Sequence, residues 1–138
     1  MVISTIDENG FPRSACKGIV EISAQGRVHL LDVYLKNTYN NLRRNPKVSL
    51  TAVDEHNFKG YCLQGQAKIH PAGKIAPELL RAWEARIASR ITQRLLKNVS
   101  DKKGHPGHPE AGLPKPEYMI EVQVEEIVDL TPQHLKGK

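Results

Sequence analysis

Two cysteines, one tryptophan and two phenylalanines are all that this 138-residue chain offers of those residue types, and each scarcity closes off a class of protein. Cys16 and Cys62 lack Cys-x-x-Cys spacing, so the chain reads as one with reduced thiols in the cytoplasm rather than one held by a disulfide framework. No apolar run is long enough to span a bilayer, and no secretory core segment is present. Charge of one sign is not concentrated either. Lys and Arg number 20 against 15 Asp and Glu, a formal balance of +5, which suits a protein that holds phosphate and is too small to announce nucleic acid. No Gly-x-Gly-x-x-Gly follows a strand, and strands do not alternate with helices, so a doubly wound nucleotide-binding sheet is not expected. The six histidines are scattered, no Ser-His-Asp context can be read, and neither cysteine sits in an activating motif. No catalytic residue is therefore assigned. With so few aromatic rings, the core of this single domain (residues 1–138) must be built from Ile, Leu, Val and Ala, a composition that suits strands rolled into a small barrel.

What is present is organised around residues 30–50. An apolar strand ending at Leu35 gives way to a polar elbow, Lys36-Asn37-Thr38, followed by a short turn of helix around Leu42. Pro46 disfavours helix at Asn45 and sends the chain into a new strand. A strand emptying into a helix start is a place to hold an anion. The first-turn N–H groups have no intrahelical partners, the helix dipole adds positive charge, and Lys36 and the Thr38 hydroxyl can close on a phosphate from the side.

Elsewhere the pattern is mostly strand. Residues 2–6 alternate, and Asp7-Glu8-Asn9-Gly10 reads as a hairpin turn whose Asn-Gly supplies positive φ. Residues 13–22, 27–33, 47–53, 58–69 and 118–124 are five further strands, the last interrupted by Glu125-Glu126 and ending at residues 127–130. In the long strand, Tyr61, Leu63, Gly65, Ala67 and Ile69 form the apolar set and Cys62, Gln64, Gln66 and Lys68 the polar one. One long helix spans residues 77–98, with Leu80, Trp83, Ile87, Ile91 and Leu95 as its apolar stripe. Arg86, Arg90 and Arg94 form an adjoining ridge, which reads either as a solvated face or as an electrostatic contact with a phosphate ligand or nucleic acid. Residues 99–116, rich in Gly, Pro, Lys and His, read as a mobile loop in which His105 and His108 lack the Cys or carboxylate partners of a metal site. Residues 131–138 read as a tail.

Three stretches carry a family resemblance: Asn41-Leu42-Arg43-Arg44-Asn45-Pro46-Lys47-Val48-Ser49-Leu50, then Gly60-Tyr61-Cys62-Leu63-Gln64-Gly65-Gln66-Ala67-Lys68-Ile69, and before both Asp7-Glu8-Asn9-Gly10-Phe11-Pro12. Together they resemble the pyridoxamine 5'-phosphate oxidase-like, FMN-binding split-barrel superfamily over residues 2–70. The family shows a Lys/Thr-rich elbow, then Asn-Leu-x-x-Asn-Pro-x-Val, then x-Gly-x-Ala-x-Ile.

The resemblance implies a mainly β domain: a six-stranded antiparallel split β-barrel of Greek-key type, with one long helix inserted before the last strand. It implies FMN bound without a covalent bond at a homodimer interface, with hydride or electrons passing between reduced nicotinamide, NAD(P)H, and an acceptor. Haem or the deazaflavin F420 replaces FMN in some members. Carried onto this chain, Lys36, Asn37 and Thr38 serve the phosphate. Arg13 and Lys17 are second choices for it, Ser14, Ala15 and Cys16 line the ring or simply mark a tight barrel corner, and Gln64 reaches ring or ribityl chain. Asn41 completes the set through the Asn-Leu motif. The family places a second basic residue beside the Thr where Asn37 stands, a departure that leaves three readings: a weaker FMN site, a site held also by Arg43 or by a side chain from a second subunit, or a cofactor-free interaction domain that kept the barrel. It also has a helix before the first strand and, for full oxidase activity, a longer basic C-terminal segment.

Overall fold

The computed structural model describes residues 1–33, 35–100 and 115–136; for residue 20, residues 90–95 and residues 97–100 it describes the backbone alone. Seven strands, β1 (Val2–Ile6), β2 (Pro12–Cys16), β3 (Ile19–Ile22), β4 (Arg27–Asp32), β5 (Lys47–Asp54), β6 (Lys59–Pro71) and β7 (Tyr118–Asp129), form one sheet in the order β2-β1-β5-β6-β7-β4-β3. Every neighbouring pair is antiparallel. Helix α1 (Asn37–Arg44) follows β4, and α2 (Pro77–Ser100) precedes β7.

The count is seven, not the six expected, because residues 13–22 are two strands. β2 and β3 are successive in the chain yet occupy opposite edges of the sheet. Laid flat, those edges would stand about 29 Å apart at about 4.8 Å per strand spacing. Only Lys17 and Gly18 join them, a link that reaches at most about 11 Å. The sheet must therefore roll into a barrel with a seam between β2 and β3, where no ladder bonds close it. The Lys17 amide donates to the Met1 carbonyl across 3.1 Å, extending the β1–β2 pairing to the seam.

Alternation then sorts the side chains. Leu30, Ile120 and Val122 point into the barrel with Ile3, Val28, Val48, Leu50 and Tyr118, while Leu42 from α1 plugs one end. Their neighbours Leu31 and Met119 point outward and would face water, were they not covered by Ile75 and by Trp83, Leu80 and Ile87 of α2. The helix stripe read from sequence is thus the lid on the barrel's outer face, as far as its described side chains reach. Arg86, also on α2, donates to the Ile19 carbonyl; Arg90 and Arg94 lie outside the described side chains.

Three local expectations are revised. α1 is two turns long rather than one, since Pro46 stops it only after Arg44. In the first hairpin Gly10 alone takes positive φ, at 82°; Asp7 Oδ1 accepts the amides of Asn9 and Phe11, both at 2.9 Å. As expected, Glu125-Glu126 interrupts the last strand and does not end it: β7 bulges there, where the register shifts between Gln64 and Gly65 of β6, and runs on to Asp129. Gly65 is required there, because a Cβ would collide with the Gln123 backbone carbonyl. Tyr61, placed in the apolar set, stands beyond the core and is 53% exposed.

Candidate functional site

Where the rolled sheet meets α1, β2 and the first turn of the helix enclose a cavity of about 400 Å³. Six of the ten expected site residues line it: Arg13, Ser14 and Ala15 from β2, and Asn37, Thr38 and Asn41 from α1. Their convergence has local causes. β2 is an edge strand, so one side of it is free to border a cleft. α1 begins at the β4 exit with Lys36 in the N-cap position, and Lys36 provides no side-chain cap. The helix carries no acidic residue in its first turn, while Arg43 and Arg44 occupy its last. Its charges thus complement the dipole at the far end and leave the amino end positive.

Inside the cavity, Thr38 and Asn41 are buried. Asn41 Nδ2 donates to Thr5 Oγ1 at 3.1 Å, which ties α1 to β1 and fixes the floor. Arg13 is 59% exposed and stands 3.9 Å from Asp7, a loose contact that leaves its guanidinium able to turn inward. Ser14 Oγ lies 3.2 Å from Ser4 Oγ, and Ala15 packs against the barrel core.

The other four expected residues lie elsewhere. Lys36 precedes the helix, with its carbonyl accepting the Asn40 amide at 2.9 Å, and its side chain is not among those lining the cavity. Cys16 is exposed on β2. Gln64 lines an adjoining cavity of about 380 Å³. Lys17 turns away altogether: its Nζ donates to Asp32 Oδ1 at 2.8 Å, with the pair 15% and 4% exposed. Asp32 also accepts the Tyr118 hydroxyl at 2.6 Å and the Val33 amide at 2.9 Å. Burial first, and then the Asp32 hydrogen bond and charge, push the Tyr118 phenol well above its ordinary range. Tyr39 of α1 meets the Tyr118 ring edge-on at 5.0 Å, and the Arg43 guanidinium lies 5.5 Å from the Tyr39 centroid.

The sequence reading passed over Thr5 and Asp32, and both carried a signal. Thr5 falls on the core-facing register of β1, in step with Ile3, and Asp32 interrupts an apolar strand. A polar side chain at either place must find a buried partner.

The framework is thus a β2 edge that faces the elbow helix across the cavity. Residues 1–129 match the sequence profile of the pyridoxamine 5'-phosphate oxidase family. The chain belongs to that family. Among solved structures, a Lactobacillus delbrueckii protein assigned as a pyridoxamine 5'-phosphate oxidase superposes with a TM-score of 0.62 at 16% identity, covering 92% of this chain and 81% of its own. HupZ from Group A Streptococcus gives 0.60 at 18%, covering 94% and 83%. An F420 reductase gives 0.57 at 17%, covering 92% and 86%. At these identities the likeness shows the fold, a mainly antiparallel split barrel. No functionally curated protein matches the sequence. Among the described residues, no group of three His, Cys, Asp or Glu side chains is placed to hold a metal ion, and no helix is long and apolar enough to cross a membrane. His105 and His108 lie outside the described residues.

Proposed function

We propose that the protein binds FMN with its phosphate on the amino end of α1, and serves as an oxidoreductase between a reduced nicotinamide and an acceptor. The observation that carries this reading is the cavity in which an uncapped helix start, free of acid in its first turn, faces Arg13 across Ser14 and Ala15. A phosphate with close to two negative charges needs charged or backbone donors. The first-turn amides, the Thr38 hydroxyl, the Asn37 amide and Arg13 are donors of that kind, with Lys36 next to them in the chain. A flat ring needs small side chains beside it, and Ser14 and Ala15 are small. The donor set therefore fits the group.

When bound, FMN supplies the redox chemistry that no described side chain here is equipped to perform. The chain's own residues bind and orient. Thr38 and Asn37 hold the phosphate, and Asn41, clamped to Thr5, keeps the helix start at a fixed distance from β2. The β2 edge borders the ring, and a second copy of the chain closing over that open edge would complete the slot, which supports a homodimer with the cofactor between subunits. The free thiols Cys16 and Cys62 accord with a reducing, cytoplasmic setting. The phosphate of a deazaflavin meets the same donors, and the F420 reductase among the fold relatives keeps that ligand as the second reading.

The test is an absorption spectrum of the purified protein followed by titration with FMN and with a deazaflavin. Flavin uptake that weakens about tenfold to a hundredfold in Thr38→Val or Arg13→Ala is expected, the worth of one charge-assisted hydrogen bond. A protein that takes up neither compound, or that shows a Soret band instead, overturns the reading.

A further inference from the structure

The second cavity has a composition unlike the first. Cross-strand register sets Ser14, Ser4, Ser49, Gln64 and Glu126 in one row across five strands, each directly opposite the next. The cavity lies over the middle of this row, adding Lys47 and Gln66 from the neighbouring rung and Glu125 from the bulge. It abuts the α1 cavity, with Thr5 and Pro12 lining both. Among the described side chains of the row the one hydrogen bond is Ser4 to Ser14. Among the described residues the side chains of Ser49, Gln64, Gln66, Lys47 and the two glutamates make no hydrogen bond or ion pair, while the Lys47 backbone amide donates to Asn45 Oδ1, so the side-chain donors and acceptors are available to a ligand.

Charge separates the two cavities. The first has Arg13 and a helix's positive end; the second has two carboxylates against one ammonium. The bulge that presents the carboxylates has a close-packed backbone, since a Cβ at Gly65 would meet the Gln123 carbonyl, and bulges commonly re-aim side chains beside functional sites. We infer that this cavity is a subsite for an uncharged or cationic ring bearing an amide or amine, the chemical class of a nicotinamide ring. Gln64 and Gln66 pair with the amide, Ser49 supplies a further hydrogen bond, and Glu125 and Glu126 turn away rings that carry a carboxylate. The inference rests on the flavin reading for what such a ring does beside the first cavity, while the binding itself is testable without flavin.

The experiment titrates the isotope-labelled full chain with nicotinamide and, separately, with nicotinate, reading backbone and Gln side-chain amide shifts, and repeats both titrations with FMN present. Nicotinamide is expected to move Ser49, Gln64 and Gln66 with FMN present or absent, and nicotinate to bind at least tenfold more weakly. Gln64→Leu should weaken nicotinamide about tenfold, and Glu126→Gln should narrow the gap between the two probes. Both side chains are exposed, so an unchanged melting curve certifies the variants. Equal binding of nicotinate and nicotinamide, shifts confined to the α1 cavity, no shifts at all, or displacement of nicotinamide by FMN would each overturn the subsite. Flavin fluorescence in the same samples separates the two claims: nicotinamide shifts without FMN uptake remove the flavin reading, and FMN uptake without those shifts removes the subsite alone.

Discussion

The hydroxyl of Tyr118, at the start of β7, donates to Asp32, at the end of β4, across 2.6 Å inside the barrel. Lys17 meets the other oxygen of the same carboxylate from the seam. One buried acid thus ties three parts of the sheet together, and a charge so placed is tolerable only while its partners remain. Asp32→Ala is expected to cost about 3–5 kcal/mol because it strands Lys17 and the phenol. Tyr118→Phe should cost about 1.5–3 kcal/mol, the worth of one hydrogen bond to a charged group. Urea denaturation of the two variants checks the ratio.

Alkali should expose the same contact. The folded state keeps Tyr118 protonated beyond its ordinary range, whereas unfolded tyrosines ionise near pH about 10. A raised pKa in the folded state means that the contribution to stability is complete below that pH and is lost as pH rises above it. Stability measured upward from pH 9 should fall more steeply in the native protein than in Tyr118→Phe.

Lys17 offers a way to tell binding from architecture. Its charge and its place on the β2 side of the chain make it a phosphate ligand on paper, yet it is committed to Asp32. Lys17→Met should lower the melting temperature while leaving FMN affinity per folded molecule within about twofold, whereas Thr38→Val should do the reverse. Titration of both variants well below their melting points decides the matter.

Glycine positions predict their own ranking. Gly65→Ala drives a methyl group into backbone and should cost about 3 kcal/mol or more; Gly73→Ala meets nothing within 4 Å and should be near neutral. Phe58 is the converse case. It is the one non-glycine residue described with positive φ, at 52°, and its side chain is 66% exposed. Phe58→Gly should therefore stabilise by about 0.5–1 kcal/mol. Thermal melts of the three variants check the order.

Trp83, the only tryptophan, is buried on the inner face of α2 against Leu31, Ile75 and Met119. Trp83→Leu should cost about 2–3 kcal/mol through the cavity it leaves. Native emission should sit at short wavelength and shift red when α2 lifts, so hydrogen exchange and fluorescence can be compared for that element alone.

Much of this architecture was legible in the chain. Alternation located β1, β5, most of β6 and the first half of β7, and a period near four located α2, because those segments bury one face and expose the other. The break at Lys17-Gly18 was not legible. Residues 13–22 contain no proline and no turn-forming pair, and what divides them is a topological demand, the need of two sheet edges to meet, of which Gly18 is the one local trace. The site divides the same way. Asn37 and Thr38 were nameable from the elbow, since anion binding at a helix start is a local property, whereas Arg13 and Ser14 came only with the family resemblance. Thr5 and the fate of Lys17 depend on which strands become adjacent, and a partner such as Asp32, fifteen residues away, is visible only once the sheet has rolled.

That two-residue link between the outermost strands has a mechanical meaning. A sheet whose margins are covalently joined behaves as a hoop, not a ribbon: it can flex at the seam, yet it cannot lie flat while the chain is whole. A single proteolytic nick between Lys17 and Gly18 would spare every ladder and remove that constraint, and the cleft beside α1 would widen or close according to what else holds its rim.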